Sequence, residues 1–313
     1  MTRYILKRLL LLIPILLAVS LVVFTILRLG HGDPAMAYLR LSSIPPTDQA
    51  LEVARHELGL DKPFAVQYVS WLGKAVRGDF GISYVTKKPV LDEILYYLPN
   101  TLILAGYSLA LTLLLSLPLG MISALKKDRL PDHMTRGLSF FGVSIPNFFL
   151  GFVLIWIFSI KLHWLPPLGK GGFSHMILPI LTMSCMSLCI NTRLIRSTML
   201  DNMHSRYVLY ARARGLSESV VVRRHVLTNS LIPVITAIGM HAGELFGGAV
   251  IAESIFAWPG VGRYAVSAIY NRDYPVMQCF ILIMTTIFVL MNLAVDIGYA
   301  WLDPRIRMQG DDQ

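Results

Sequence analysis

Six stretches of this 313-residue chain are long and apolar enough to cross a hydrocarbon layer, which takes about 20 helical residues. They are Leu9–Leu29, Thr101–Leu125, Leu138–Ile160, Met176–Ile195, Leu231–Ala252 and Met277–Ala300. No water is available in hydrocarbon to satisfy backbone N–H and C=O groups, so each run is expected to be a helix. Composition agrees. Hydrophobic residues make up 55% and charged residues only 15%, against about 25% charged in a soluble domain. The expected fold is an all-α polytopic membrane protein with six transmembrane helices. A large external segment separates the first and second, and a polar loop separates the fourth and fifth. The fourth run is the least apolar, since it holds Ser184, Ser187 and Asn191. Three regions follow: 1–100 as a membrane helix plus external segment, 101–302 as a membrane core, and 303–313 as a tail.

Lysine and arginine placement orients the runs, because short cytoplasmic loops carry an excess of both. Arg3, Lys7 and Arg8 precede the first run. Lys126, Lys127, Arg129 and Arg136 follow the second. Arg193, Arg196, Arg206, Arg212, Arg214, Arg223 and Arg224 lie between the fourth and fifth, and Arg305 and Arg307 follow the sixth. All four groups fall on one side of a six-span chain, so both termini are expected in the cytoplasm. The net charge of +9 is explained by this clustering and needs no nucleic acid partner. The first run is longer than a signal-peptide core and lacks a small-residue cleavage site, so it is expected to be retained.

The external segment, Gly30 to Asn100, is polar and balanced in charge. A helix is expected over Thr47–Gly59, with Thr47 as N-cap and Gly59 closing it. Val66, Val69, Leu72 and Val76 mark a second helix by their spacing. Cys185, Cys189 and Cys279 lie in or beside apolar runs and are expected to pack rather than pair or bind metal. Met183, Met186, Met240 and Met284 fit apolar filling better than a soft-metal path. No phosphate-binding glycine loop occurs, so any ATP and magnesium would be held by other chains.

Residues Tyr207 to Pro233 are too polar for lipid and too patterned for a slack linker. A short helix is expected over Ser205–Arg214. Gly215 follows at a position that needs positive φ. Ser217 can cap a second helix, with Glu218 favourable near its positive end. Val220, Val221, Leu227 and Leu231 give that helix an apolar stripe. Small Ala211 and Ala213 permit close approach to another surface. Composition leaves two readings open: a knob for a cytoplasmic protein, or a surface helix on anionic lipid.

This insert resembles the coupling-helix loop of permease subunits of binding-protein-dependent ABC importers. The run Ala211-Arg212-Ala213-Arg214-Gly215-Leu216, with His225, Asn229 and Pro233, is similar to the peptide/nickel branch. So are Gly32-Asp-Pro-Ala35, Leu58-Gly-Leu-Asp-Lys-Pro63, Gln67-Tyr68, Gly78-Asp-Phe-Gly81, Pro99-Asn-Thr-Leu102 and Ser144-Ile-Pro146. Phe256-Ala-Trp-Pro-Gly-Val-Gly262, Tyr274-Pro-Val276 and Asp303-Pro-Arg305 continue the likeness. The stretches Gly239 to Gly248 and Ala265 to Pro275 look most like nickel permeases. The resemblance implies a bacterial inner-membrane subunit without enzyme activity. Its partners would be a second, similar permease, two ATPase subunits and an external binding protein. Tyr207, Ala211, Arg212, Ala213, Arg214, Gly215, Leu216 and His225 would couple it to the ATPases. It also implies a plug or a docking edge for the binding protein around Phe256 to Arg263 and Asn271 to Tyr274.

His241 and Glu244 share a face of the fifth run and are candidate cargo or nickel ligands. Met240 and Asn191 are further pathway candidates, and Asn191 with Arg193 fits a gate or an interfacial anchor. Gly239, Gly243, Gly247 and Gly248 would allow close helix packing. Trp258 and Tyr264 suit a membrane interface. Asn292 with Asp296 fits a structural cap. Peptides or glutathione are the alternative cargo, and an intramembrane enzyme using His241, Glu244 and Asp296 is a reading of another class.

Overall fold

The computed structural model describes residues 2–30 and 32–302. The tail at 303–313, with Asp303 and Arg305, lies outside the described residues, as do the side chains of Arg3, Lys7 and Arg8. The described residues are helical nearly throughout. In order the helices are α1 (Thr2–Leu29), α2 (Pro34–Leu41), α3 (Asp48–Glu57), α4 (Phe64–Ala75), α5 (Val90–Leu125), α6 (Leu130–Ser144) and α7 (Asn147–Leu154). They continue with α8 (Ser174–Met203), α9 (Arg206–Ala213), α10 (Glu218–Val220), α11 (Thr228–Ile255), α12 (Val261–Asn271) and α13 (Tyr274–Leu302). Two π-helical segments, Ile155–Lys161 and Val221–Leu227, extend α7 and α10.

Four single helices are long and apolar enough to span: Leu9–Leu29, Val90–Leu125, Ser174–Met203 and Tyr274–Val295. At 36 residues, α5 is about 54 Å long and outreaches a bilayer. The run Leu138–Ile160 was expected as one rod and is not. Leu130–Ser144 and Asn147–Lys161 meet at 106°. Pro146 is the cause: it disfavours helical backbone in the residue before it, and Ile145 is extended at φ −87°, ψ 123°. Counting that pair as one span gives five among the described residues. The fifth expected run, Leu231–Ala252, lies within α11, several of whose side chains are outside the described set.

The chain divides into two compact units. One comprises Thr2–Thr101 with Pro259–Val289; the other comprises Leu102–Trp258 with Leu290 onward. The segment between α1 and α5 and the stretch after α11 therefore share a unit.

In that first unit Asp33 caps α2, its Oδ1 accepting from Ala35 N at 2.9 Å. Thr47 caps α3 as expected, at 3.3 Å from Ala50 N, and Gly59 closes it at φ +64°. The second expected helix exists as α4, but its valines are not the buried face. Val66, Val69 and Val76 are exposed. Phe64, Tyr68 and Trp71 instead surround Phe24 of α1, each with ring centroids 5.5 Å away. Aromatic area outweighs valine spacing here.

The loop before α12 is tied to the α5 segment. Asn100 Nδ2 donates to the Pro259 carbonyl at 2.7 Å, and Val261 N–H donates to Thr101 Oγ1 at 2.9 Å. Tyr264 donates to Glu93 Oε2 at 2.5 Å and stacks on Tyr97 at 5.0 Å. Ser83 donates to Asp273 Oδ2 at 2.6 Å.

The second unit holds two apolar clusters. Leu104, Leu178, Met183, Leu245 and Phe256 build one, together with Trp258. Trp258 is 1% exposed, so it is a core residue and not the interfacial anchor expected. Met183 is likewise filler. Cys185 and Cys189 are free thiols, as is Cys279 of the first unit. Cys189 Sγ lies so close to Gly142 that an added Cβ there would stand 2.3 Å away. Of the glycines on α11, Gly239 makes the close approach: its added Cβ would stand 2.1 Å from Val295 Cγ1 of α13. Gly247 and Gly248 face open space.

Gly239→Ala is therefore expected to destabilise by ~1–3 kcal/mol as an overpacked contact. Adding Val295→Ala should recover much of the loss. Thermal unfolding in detergent checks both, and an unchanged midpoint for Gly239→Ala would contradict the close approach.

Candidate coupling segment and its brace

The basic insert folds as a short helix, a tight turn and a π-helical arm. Helix α9 ends in a Schellman arrangement, with Leu216 N–H on the Ala211 carbonyl at 3.3 Å and Gly215 N–H on the Arg212 carbonyl at 2.9 Å. Gly215 has φ +76°, where a Cβ is strained. Ser217 occupies an N-cap position with extended backbone, but its side chain makes no capping bond. Glu218 stands in the first turn of α10, as expected, and has a second role. It grips the Arg212 guanidinium at 2.5 and 3.1 Å across the turn. The Arg212 hydrogen bond holds the Glu218 carboxyl below the ordinary range. A lowered carboxylate pKa means that the pair persists at neutral pH and is lost only as pH falls through that depressed value. Both side chains are exposed, so the pair contributes little.

Apolar burial does the holding. Val208, Ala211, Val221, Val222 and Val226 pack with Ala124 of α5, Ile195 and Met199 of α8, and Val234 of α11. Ala211 is thus turned inward and does not present itself to another protein. Val220, expected in the apolar stripe, is exposed. The outward face carries Tyr207, Leu209, Tyr210, Arg212, Ala213, Arg214, Leu216 and Val220, and Tyr210 is 72% exposed. His225 is half-buried, and Tyr207 hydrogen-bonds Asn202. The π segment runs without a break into α11, which ties the insert to a long helix. Sequence periodicity of 3.6 could not reveal a π segment.

Sequence reasoning also missed the brace beneath. Asp132 of α6 is fully buried. Its carboxylate accepts from Ser123 Oγ at 2.5 Å and Asp128 N–H at 2.9 Å. Arg196 Nε and Nη2 reach it at 2.6 and 2.8 Å. Two adjoining segments of basic sequence are joined through this acid. The available signal was an aspartate inside a cationic loop, opposite an arginine-rich helix end.

The pathway candidates separate. The side chains of Met240, His241, Glu244 and Asp296 lie outside the described residues. Asn191 is fully buried, and neither its Nδ2 nor its Oδ1 has a partner among the described residues. A buried amide without partners is uncommon. Among the described residues no group of three metal-ligating side chains occurs.

Asp132→Ala is expected to cost ~3–5 kcal/mol, because Arg196 is left half-buried and unpaired. Asp132→Leu combined with Arg196→Met should cost less than either change alone. Chemical or thermal unfolding of the four proteins tests this, and additive losses would rule out the brace.

Comparison with known proteins agrees with this architecture. The family described as "Binding-protein-dependent transport system inner membrane component" matches residues 116–308. Its N-terminal companion family matches residues 1–105. The chain is 41% identical over 308 residues to the glutathione transport system permease protein GsiC of Escherichia coli strain K12, covering 98% of this chain and 99% of that one. The Shigella flexneri serotype 5b protein of the same name matches to the same extent. An inward-facing MetNI methionine ABC transporter shares the fold with a TM-score of 0.56 at 16% identity, over 67% of this chain and 96% of that one. An amino acid ABC transporter solved with histidines gives 0.51 at 14%, over 68% and 94%. With two family models spanning nearly its whole length, this chain belongs to the inner membrane components of binding-protein-dependent transport systems, a family of permease subunits rather than enzymes.

Proposed function

We propose that this chain is one of two similar permeases in an ATP-driven importer of small peptides of the glutathione kind. Two cytoplasmic ATPase subunits and an external solute-binding protein complete the assembly, and both termini face the cytoplasm of a bacterial inner membrane. ATP and magnesium are bound by the ATPases. The observation that carries this reading is the insert itself: an outward face of tyrosine, leucine and arginine on a seam of buried valines.

Force applied to Tyr210 or Leu209 cannot be absorbed by local slack. Val208 and Ala211 are locked onto α8, and Val221 to Val226 continue into α11. Movement of an ATPase groove therefore tilts those helices as bodies, which is how alternating access is produced. Tyr207, Arg212, Ala213, Arg214 and Leu216 meet the ATPase, Gly215 sets the turn, and His225 sits on the arm. Asn191 supplies unpaired donor and acceptor groups to a polar cargo once the helices part. His241, Glu244 and Met240 are assigned to the pathway by their position on the fifth run.

Glutathione-type cargo is favoured by the 41% identity across the full chain. Nickel, as ion or small chelate, is the rival favoured by the likeness of Gly239 to Gly248 and Ala265 to Pro275 to nickel permeases. His241 and Glu244 would then be its ligands.

Gly215→Pro, which fixes φ near −65°, is expected to abolish transport-coupled ATPase activity while leaving membrane insertion intact. Normal uptake by this variant would remove the insert from coupling. Cargo is decided by uptake of radiolabelled glutathione and of radio-nickel in cells lacking the subunit. Loss of glutathione uptake alone is expected, and loss of nickel uptake alone would transfer the assignment to the rival.

A further inference from the structure

A cavity of about 500 Å³ opens between α6 and the last turns of α8. Its lining includes Arg136 and Phe140 from α6 and Thr192, Arg193 and Arg196 from α8. Arg196 is committed to Asp132. Arg136 and Arg193 form no ion pair among the described residues. Thr192 is 1% exposed, yet its hydroxyl has no hydrogen-bond partner among the described residues. Leaving a buried hydroxyl unpaired is costly, and two exposed guanidiniums line the same cavity, so an acceptor that carries negative charge would serve all three. Phosphate answers that description: several oxygens on one centre suit two guanidiniums and a hydroxyl together.

The rim tells which phosphate. Phe140 is 69% exposed on the cavity wall. Along the same helix Leu130, Met134, Leu138 and Phe141 are exposed at 72%, 59%, 66% and 66%. Their spacing of three to four residues makes one apolar stripe. A free anion has no use for such a stripe, whereas acyl chains do.

We propose that this cavity binds the headgroup phosphate of an anionic phospholipid. Arg136, Arg193 and the Thr192 hydroxyl hold its oxygens, and the α6 stripe takes its chains. The cavity also adjoins the insert's anchor, because its residues Ser123 and Arg196 neighbour Ala124 and Ile195 of the valine seam. The site is independent of which cargo is carried.

The test uses the assembled transporter, purified with its partner subunits and placed in phosphatidylcholine nanodiscs with a minority of phosphatidylglycerol. Retained phosphatidylglycerol is counted by native mass spectrometry. Arg136→Gln with Arg193→Gln is expected to lower retention roughly ten-fold, and the corresponding Arg→Lys pair to keep most of it, as a headgroup held largely by charge requires. Equal retention by parent and glutamine pair overturns the proposal. So does displacement of the lipid by excess inorganic phosphate, which would mark a free-phosphate site. Disassembly of the glutamine pair in every lipid mixture would mean that the arginines face a protein partner, and also overturns it. Should that pair not accumulate, a photoactivatable phosphatidylglycerol is crosslinked to the parent complex. Label on residues 130–144 or 192–196 is expected, and its absence from both refutes the site.

Discussion

Lipid provides no partner for a backbone N–H or C=O, and the chain's architecture follows from that shortage. Long helices satisfy the backbone internally, so most of the described residues are helical. Where a helix must stop, the stop has an identifiable cause. Pro146 forces Ile145 out of the helical region, and the chain turns through 106° there. Polar side chains inside such a body must find one another. Asp132, Ser123 and Arg196 do so; among the described residues Asn191 and Thr192 do not. The contrast separates groups that hold the structure from groups left with bonding capacity.

The insert shows a division of labour between apolar and charged surface. Its arginines, numerous in the sequence, make little of its structure, and the ion pair it forms among the described residues is exposed. Valines and Ala211 fix it to α8 and α11 through burial, which is insensitive to salt and scales with area. The charged and aromatic side chains are left outside for recognition. A knob built this way transmits displacement, because a close-packed inner face resists deformation.

Several motifs that resemble the peptide/nickel branch acquire a mechanical reason. Asn100 and Thr101 bond the Pro259–Val261 loop. Ser83 and Val85 bond Asp273, next to the Tyr274-Pro-Val276 run. Gly81 N–H closes on Asp79. Residues far apart in sequence are thus clasped within one unit. A linear reading places them in separate regions, because long-range hydrogen bonds leave no period in the chain.

Much was legible without coordinates. Apolar run length determined that the chain is a helical membrane protein, the Thr47 cap and Gly59 located α3, and Gly215 located the turn after α9, since each depends only on neighbouring residues. Only tertiary structure decided which faces are buried. It turned Ala211 inward, exposed the α4 valines in favour of Phe64, Tyr68 and Trp71, and drew Trp258 into a core. It also joined Asp132 to Arg196 and left Thr192 unpaired beside a basic cavity. Local sequence sets backbone conformation through short-range sterics and capping, whereas burial is chosen by which distant surface arrives. That choice depends on shape and area contributed by the rest of the chain.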